Sequence, residues 1–267
     1  MIEKSIRHEG AAIAYTVWGE GPKTLVLLHG YLENRLIFSE FASGLSQWYR
    51  VISIDLPGHG LSELPAKPLT MASMACAVRA VLNHEAVDCC FLAGHSMGGY
   101  VVFAFLEQYP EVVSAYCLLH STPFADTPEK QTMRDREIAL VRAGKQNALF
   151  TTNVPNGFAP ESLQRLAHRV AFAVEVATQT PPQGIIAALE ALKVRRNRVE
   201  LMQNSDKPLL VVLGRHDNYI ALENMKAVAL ATPRTTVAVL EHSGHNGFLE
   251  EPDALIGVIR AFLESEN

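Results

Sequence analysis

Cysteine is scarce: four residues in a chain of 267, with no CxxC pair and no spacing that would gather metal ligands. Cys89 and Cys90 are adjacent in a predicted strand, so their side chains leave opposite faces and a bridge between them is disfavoured. Together with Cys76 and Cys117 they read as reduced, small apolar residues of a cytoplasmic protein. Long hydrophobic runs are also missing. No apolar stretch approaches the roughly 20 residues needed to span a bilayer, and the opening MIEKSIRHEG lacks the apolar centre of a secretory signal. Positive charge is in deficit, with 23 Lys and Arg against 28 Asp and Glu, and no basic block dominates. Nucleic acid and anionic membrane are therefore not expected partners, because both draw on clustered Lys and Arg. No metal or other cofactor is expected, and the glycines of GHSMGG do not make the G-x-G-x-x-G of a dinucleotide site.

Hydrophobic residues, by contrast, make up 48% of the chain, ample for one sizeable core. Up to Trp18 a weak alternation predicts an antiparallel hairpin. Continuous apolar strands follow at TLVLLHG (Thr24 to Gly30), RVISIDLPGHG (Arg50 to Gly60), DCCFLAGH and VVSAYCLLH (Val112 to His120). PLLVVLGRHD (Pro208 to Asp217) and TTVAVLEHSGH (Thr235 to His245) complete the set. Helical patterns alternate with these strands: Ile37 to Trp48, Thr70 to Glu85, a segment ending near Tyr109, and Glu251 to Glu264. Such alternation predicts an α/β protein whose parallel sheet is covered on both faces.

Between Pro123 and about Ser205 the rhythm breaks. Helical patterns run over Glu129 to Ala143, Pro160 to Thr178 and Gly184 to Gln203, with proline-bearing breaks at NVPNGFAP and TQTPPQG. The simplest arrangement is a helical cap over 123–205, set on a core formed by 1–122 and 206–267.

The stretch FLAGHSMGGYVVFAF passes from a buried strand to a buried helix through Gly94-His95-Ser96-Met97-Gly98. A turn that sharp strains the backbone at Ser96, and glycine at the flanking positions clears room for it. Ser96 then stands at a helix amino terminus, where free N–H groups and the dipole favour developing negative charge. A simple N-cap is the competing reading for this serine.

The strand–G-x-S-x-G–helix turn is a nucleophile elbow, and the chain resembles the α/β-hydrolase fold family. The resemblance extends in order from LLHGYLEN through DLPGHGLS, GHSMGG and LGRHD to SGHNGFLEEP. It implies a mostly parallel eight-stranded sheet with helices on both faces. It also implies that Ser96 is the nucleophile, Asp217 the acid and His245 the general base. The oxyanion donors would be the backbone N–H groups of Tyr31 and Met97. Asp126 is a rival for the acid, His29 and His59 are expected to hold glycine turns, and Asp55 to bond loop N–H groups. The cap would supply an apolar pocket, with Phe124, Phe150, Phe158 and Phe172 as candidates; packing within the cap is the competing reading for each. KVRRNR (Lys193 to Arg198) could anchor an acidic substrate, though a charge run on a helix is usually a solvated face.

A serine at the elbow argues against the aspartate-dependent dehalogenases and epoxide hydrolases of this fold. The expectation is a serine hydrolase of a small carboxylic ester, thioester or lactone, acting as a monomer or homodimer on a small-molecule substrate. The same residues could instead serve a carbon–carbon bond hydrolase, a lyase or a perhydrolase, or a non-catalytic ligand receptor.

Overall fold

The structure, a computed structural model, describes residues 1–266. Strands β1 (Ile2–His8) and β2 (Ala11–Trp18) form the antiparallel hairpin, and β2 also runs antiparallel to β4 (Arg50–Ile54). The others are parallel: β3 (Thr24–Leu28), β5 (Cys90–His95), β6 (Val113–Leu119), β7 (Leu209–Gly214) and β8 (Thr235–Leu240). The order in the eight-stranded sheet is β1-β2-β4-β3-β5-β6-β7-β8, so β3 and β5 lie side by side in its middle.

Alternation along β3 divides the interior. Val26 and Leu28 join one apolar cluster, with Met74, Val78, Val101 and Phe105; Leu25 and Leu27 join another, with Phe41, Leu45 and Ile259. Helices therefore cover both faces: α1 (Ser39–Leu45), α2 (Met71–His84) and α3 (Met97–Gln108) come early in the chain. The link from β6 to β7 carries α4 (Pro128–Arg142), α5 (Asn147–Asn156), α6 (Pro160–Arg165), α7 (Ala167–Thr178), α8 (Pro182–Lys193) and α9 (Val199–Asn204). After β7 come α10 (Leu222–Leu230), α11 (Gly247–Glu250) and α12 (Pro252–Ser265).

The inserted helices build a small core of their own, from Ile138, Val141, Leu149, Phe150, Ile185 and Leu189 against Leu32. Two of the expected long helices are broken. The segment expected over Pro160 to Thr178 divides at Leu166, and the one expected over Gly184 to Gln203 ends at Lys193 before α9 begins. Among the described residues no helix is long and apolar enough to cross a membrane.

Candidate active site

The two glycines around Ser96 are there for clearance. A Cβ on Gly94 would meet the carbonyl of Gly98 at 2.4 Å, and one on Gly98 would meet the Leu28 carbonyl oxygen at 2.2 Å. Strand β5 and helix α3 can therefore approach each other, and β3, only where no side chain intervenes. Ser96 takes the bend with φ 49° and ψ −111°, a left-handed conformation for a residue with a side chain. Its hydroxyl makes no capping bond, so the N-cap reading does not hold. The main chain is pinned instead: Ser96 N–H donates to Leu119 O at 3.0 Å, and Ser121 Oγ donates to Ser96 O at 2.7 Å.

Parallel strands deliver Asp217 and His245 to the same edge of the sheet. Asp217 follows β7, and His245 follows β8, its backbone N–H held by the Gly157 carbonyl at 2.6 Å. His245 Nδ1 lies 2.8 Å from Asp217 Oδ2. The carboxylate's other oxygen accepts N–H bonds from Tyr219 at 2.8 Å and Ile220 at 2.9 Å. Burial opposes the Asp217 charge, but the His245 and His120 rings beside it win, and its carboxyl sits well below the usual range. Burial likewise opposes a charged His245, and the Asp217 carboxylate outweighs it, raising the imidazole above the ordinary histidine value. With Nδ1–H committed to Asp217, the Nε2 lone pair is left available.

Ser96 and His245 line one cavity of about 430 Å³, walled also by Tyr31, Met97, Tyr100 and residues of α4 and α5. Among the described residues the backbone N–H groups of Tyr31 and Met97 donate to no protein acceptor. The loop that carries Tyr31 is braced from below. Glu33 accepts from Gly30 N–H at 2.5 Å and lies 2.9 Å from His95 Nδ1, while His95 Nε2 sits 2.8 Å from the His245 carbonyl oxygen. One buried ring thus ties the Tyr31 loop to the backbone of His245.

Other expectations resolve around this centre. Asp126 lies 2.5 Å from Arg195 Nη1 and 3.3 Å from Arg134 Nε, so its oxygens are engaged by arginines. His29 Nε2 accepts from Leu56 N–H, His59 is fully buried, and Asp55 accepts from the N–H groups of Arg35 and Leu61. His242 is exposed. The four phenylalanines require correction: none of Phe124, Phe150, Phe158 and Phe172 lines the cavity. Phe150 packs in the core of the inserted helices, Phe158 and Phe172 pack in the Phe41 cluster, and Phe124 lends its carbonyl to Arg195. Large rings bring the most stability where they are enclosed, so they fill the spaces between helices. The apolar lining comes from smaller side chains, among them Leu32, Ile37, Val154, Leu192 and Ile220.

Sequence reasoning did not single out His120, whose Nδ1 lies 3.6 Å from Asp217 Oδ2. Its signal was present: a histidine directly after β6, the neighbour of the strand that delivers Asp217. Among the described residues no group of three or more His, Cys, Asp or Glu side chains could hold a metal ion.

A sequence profile of the alpha/beta hydrolase fold matches residues 23–252. Pyrrolizixenacetamide deacetylase of Xenorhabdus hominickii is 25% identical over 260 residues, spanning 96% of both proteins. Pimeloyl-[acyl-carrier protein] methyl ester esterase of Nitrosomonas europaea is 28% identical over 261 residues, 94% of this chain and 99% of that one. Among solved structures, a thermophilic esterase from Thermogutta terrifontis superposes with a TM-score of 0.94 at 25% identity, covering 100% of this chain and 99% of the other. The chain belongs to the alpha/beta hydrolase fold family.

Proposed function

We propose that the protein is a serine hydrolase of small carboxylic esters, thioesters or lactones, working through Ser96, His245 and Asp217. One observation carries the reading. A serine hydroxyl unused for capping and held in a strained turn shares a cavity with an imidazole whose Nδ1 is 2.8 Å from a buried carboxylate. Asp217 fixes the tautomer, so His245 Nε2 takes the Ser96 proton as Oγ attacks the substrate carbonyl carbon. The tetrahedral oxyanion is received by the backbone N–H groups of Tyr31 and Met97, each worth about 2.7–4 kcal/mol in the transition state. Collapse breaks the carbonyl–leaving-group bond, and the imidazolium protonates the departing alkoxide or thiolate. Water then enters, loses its proton to Nε2, and attacks the acyl-Ser96 ester; Ser96 leaves with that proton and the free acid is released. Residues 123–205 act as the cap over this centre, and the core is 1–122 with 206–267. Relatives named as an esterase and a deacetylase support acyl transfer to water as the reaction class.

The test pairs active-site labelling with turnover. A fluorophosphonate probe is expected to label the wild type and not Ser96→Ala, and p-nitrophenyl acetate or butyrate to be hydrolysed with saturation kinetics. Labelling that survives in Ser96→Ala would falsify the assignment.

A further inference from the structure

Helix α4 turns one face toward the cavity. Lys130, Met133, Arg134 and Glu137, spaced three and four apart, all line it. Arg195, just after α8, reaches the same wall, stacked 4.1 Å over the Tyr100 ring. Its Nη1 lies 2.5 Å from Asp126 and donates to the Leu192 carbonyl, and its Nε donates to the Phe124 carbonyl. Arg134 uses Nε on Asp126 at 3.3 Å and Nη1 on Glu137 at 3.5 Å, and its Nη2 donates no hydrogen bond among the described residues. Lys130 Nζ forms no ion pair among the described residues. On the α4 side of the cavity three cations stand against Asp126 and Glu137, an excess of about one positive charge; Glu33, the other carboxylate that lines the cavity, faces His95 at 2.9 Å.

Tyr31, which also lines the cavity, brings a second, independent feature. The Tyr31 hydroxyl is buried with no hydrogen-bond partner, and its neighbouring charges are Glu137 and Arg134. A buried hydroxyl without a partner costs about 1–3 kcal/mol unless something else satisfies it. Tyr31 also carries one of the two N–H groups aimed at the reacting carbonyl. One residue thus marks both ends of the site: its backbone the reacting end, and its phenol a point one tyrosine side chain away.

We infer that the cavity selects substrates carrying a second, unreacted carboxylate, as in a monoester of a dicarboxylic acid, held by Lys130, Arg134 and the Tyr31 hydroxyl. The inference rests on the ester-hydrolase reading above and names its substrate class. A carboxylate's single charge neutralises the wall, and its two oxygens accept from an ammonium, a guanidinium and a phenol together. A phosphoryl dianion would leave a net negative charge buried beside Asp126 and Glu137, which is unfavourable.

The test compares three methyl esters of matched length: glutaric acid monomethyl ester, its neutral monoamide counterpart, and a phosphonate analogue. The wild type is expected to favour the carboxylate over the amide by about tenfold in kcat/KM, with the difference residing in KM. Lys130 is exposed on α4, so its substitution spares the core. Lys130→Gln is expected to bring the carboxylate-to-amide ratio close to one, and Lys130→Glu to invert it. Equal use of acid and amide by the wild type, or a ratio that ignores both Lys130 variants, overturns the inference. Preference for the phosphonate overturns the carboxylate assignment. Fluorophosphonate labelling of the same preparations separates the two levels. Labelled protein without charge preference refutes this inference alone; unlabelled protein removes the hydrolase reading beneath it as well.

Discussion

His120 and His245 meet the same oxygen of Asp217, with Nδ1 of His120 at 3.6 Å and Nδ1 of His245 at 2.8 Å from Oδ2. The tautomer of His120 is fixed from behind, because its Nε2 accepts the Gly247 N–H at 3.2 Å. A neutral ring with an accepting Nε2 carries its proton on Nδ1, facing the carboxylate. His120 therefore shares the Asp217 charge with His245, and removing it leaves more of that charge to stabilise the His245 cation. His120→Ala is expected to raise the His245 pKa and shift the acid limb of the kcat/KM profile toward higher pH, by about half a unit. A profile that drops in height without moving along the pH axis would assign His120 a purely structural role.

Three buried histidines make the fold sensitive to acid. Burial pushes His29 and His120 down to about 4 and His59 to about 3, against an unfolded value of 6.5. Each folded pKa is depressed, so between 6.5 and the folded value the unfolded chain binds more protons than the native one. Stability is present above the unfolded value and falls as the pH drops toward 4, by about 3 kcal/mol for each ring at the upper limit. Asp217 acts in the same direction, but in the lower window where carboxylates titrate. Urea unfolding at pH 7.0 and pH 4.5 measures this. The midpoint should fall sharply at the lower pH, and a constant midpoint would contradict the buried neutral rings.

The sheet was legible because each parallel strand is a short, continuous apolar run ending in glycine or a loop polar group, as in TLVLLHG and LLVVLG. Ser96, Asp217 and His245 were legible as a candidate site because each follows the carboxyl end of a parallel strand, β5, β7 and β8 in turn. The inserted helices were read less well. NALFTTNVPN forms α5, although Pro155 in its last turn disguises it as a break. EKQTMRDRE lies in a stretch that reads only as a helix, and it is the packing of α4 on α8 that places Lys130 and Arg134 in the wall of the cavity that Ser96 lines. KVRRNR splits its roles: Lys193 pairs with Asp135 and Glu190 at the surface, whereas Arg195 is buried against Asp126. Tertiary position decided these side chains, and local pattern carries no record of it.

Asp217 and Asp126 should fail in opposite ways. Asp217→Asn leaves the backbone contacts of the loop in place and removes the anion that fixes and stabilises the His245 ring. Turnover is expected to fall by about 10⁴-fold with the fold retained. Asp126→Asn leaves Arg195, 3% exposed at its side chain, without its counter-charge, and breaking such a buried pair costs about 3–5 kcal/mol. Circular dichroism melts beside steady-state kinetics on both variants resolve the two patterns. Near-wild-type turnover in Asp217→Asn would transfer the acid's role to Asp126.

The turn at Ser96 sets stability against chemistry. At φ 49° and ψ −111° a side-chain-bearing residue pays conformational strain of about 1–3 kcal/mol, and glycine would be relieved of it. The hydroxyl makes no capping bond that glycine would lose. Ser96→Gly is therefore expected to unfold at a higher urea concentration than the wild type while losing all fluorophosphonate labelling. Ser96→Ala, which keeps the Cβ and hence the strain, should show no such gain. Ala at Gly98 tests the same turn from the other side. Its Cβ would lie 2.2 Å from the Leu28 carbonyl oxygen, so β3 and α3 must separate and the protein must lose stability. If Ser96→Gly melted below Ser96→Ala, the bend would be a relaxed conformation maintained by its hydrogen bonds, and the strain argument would fail.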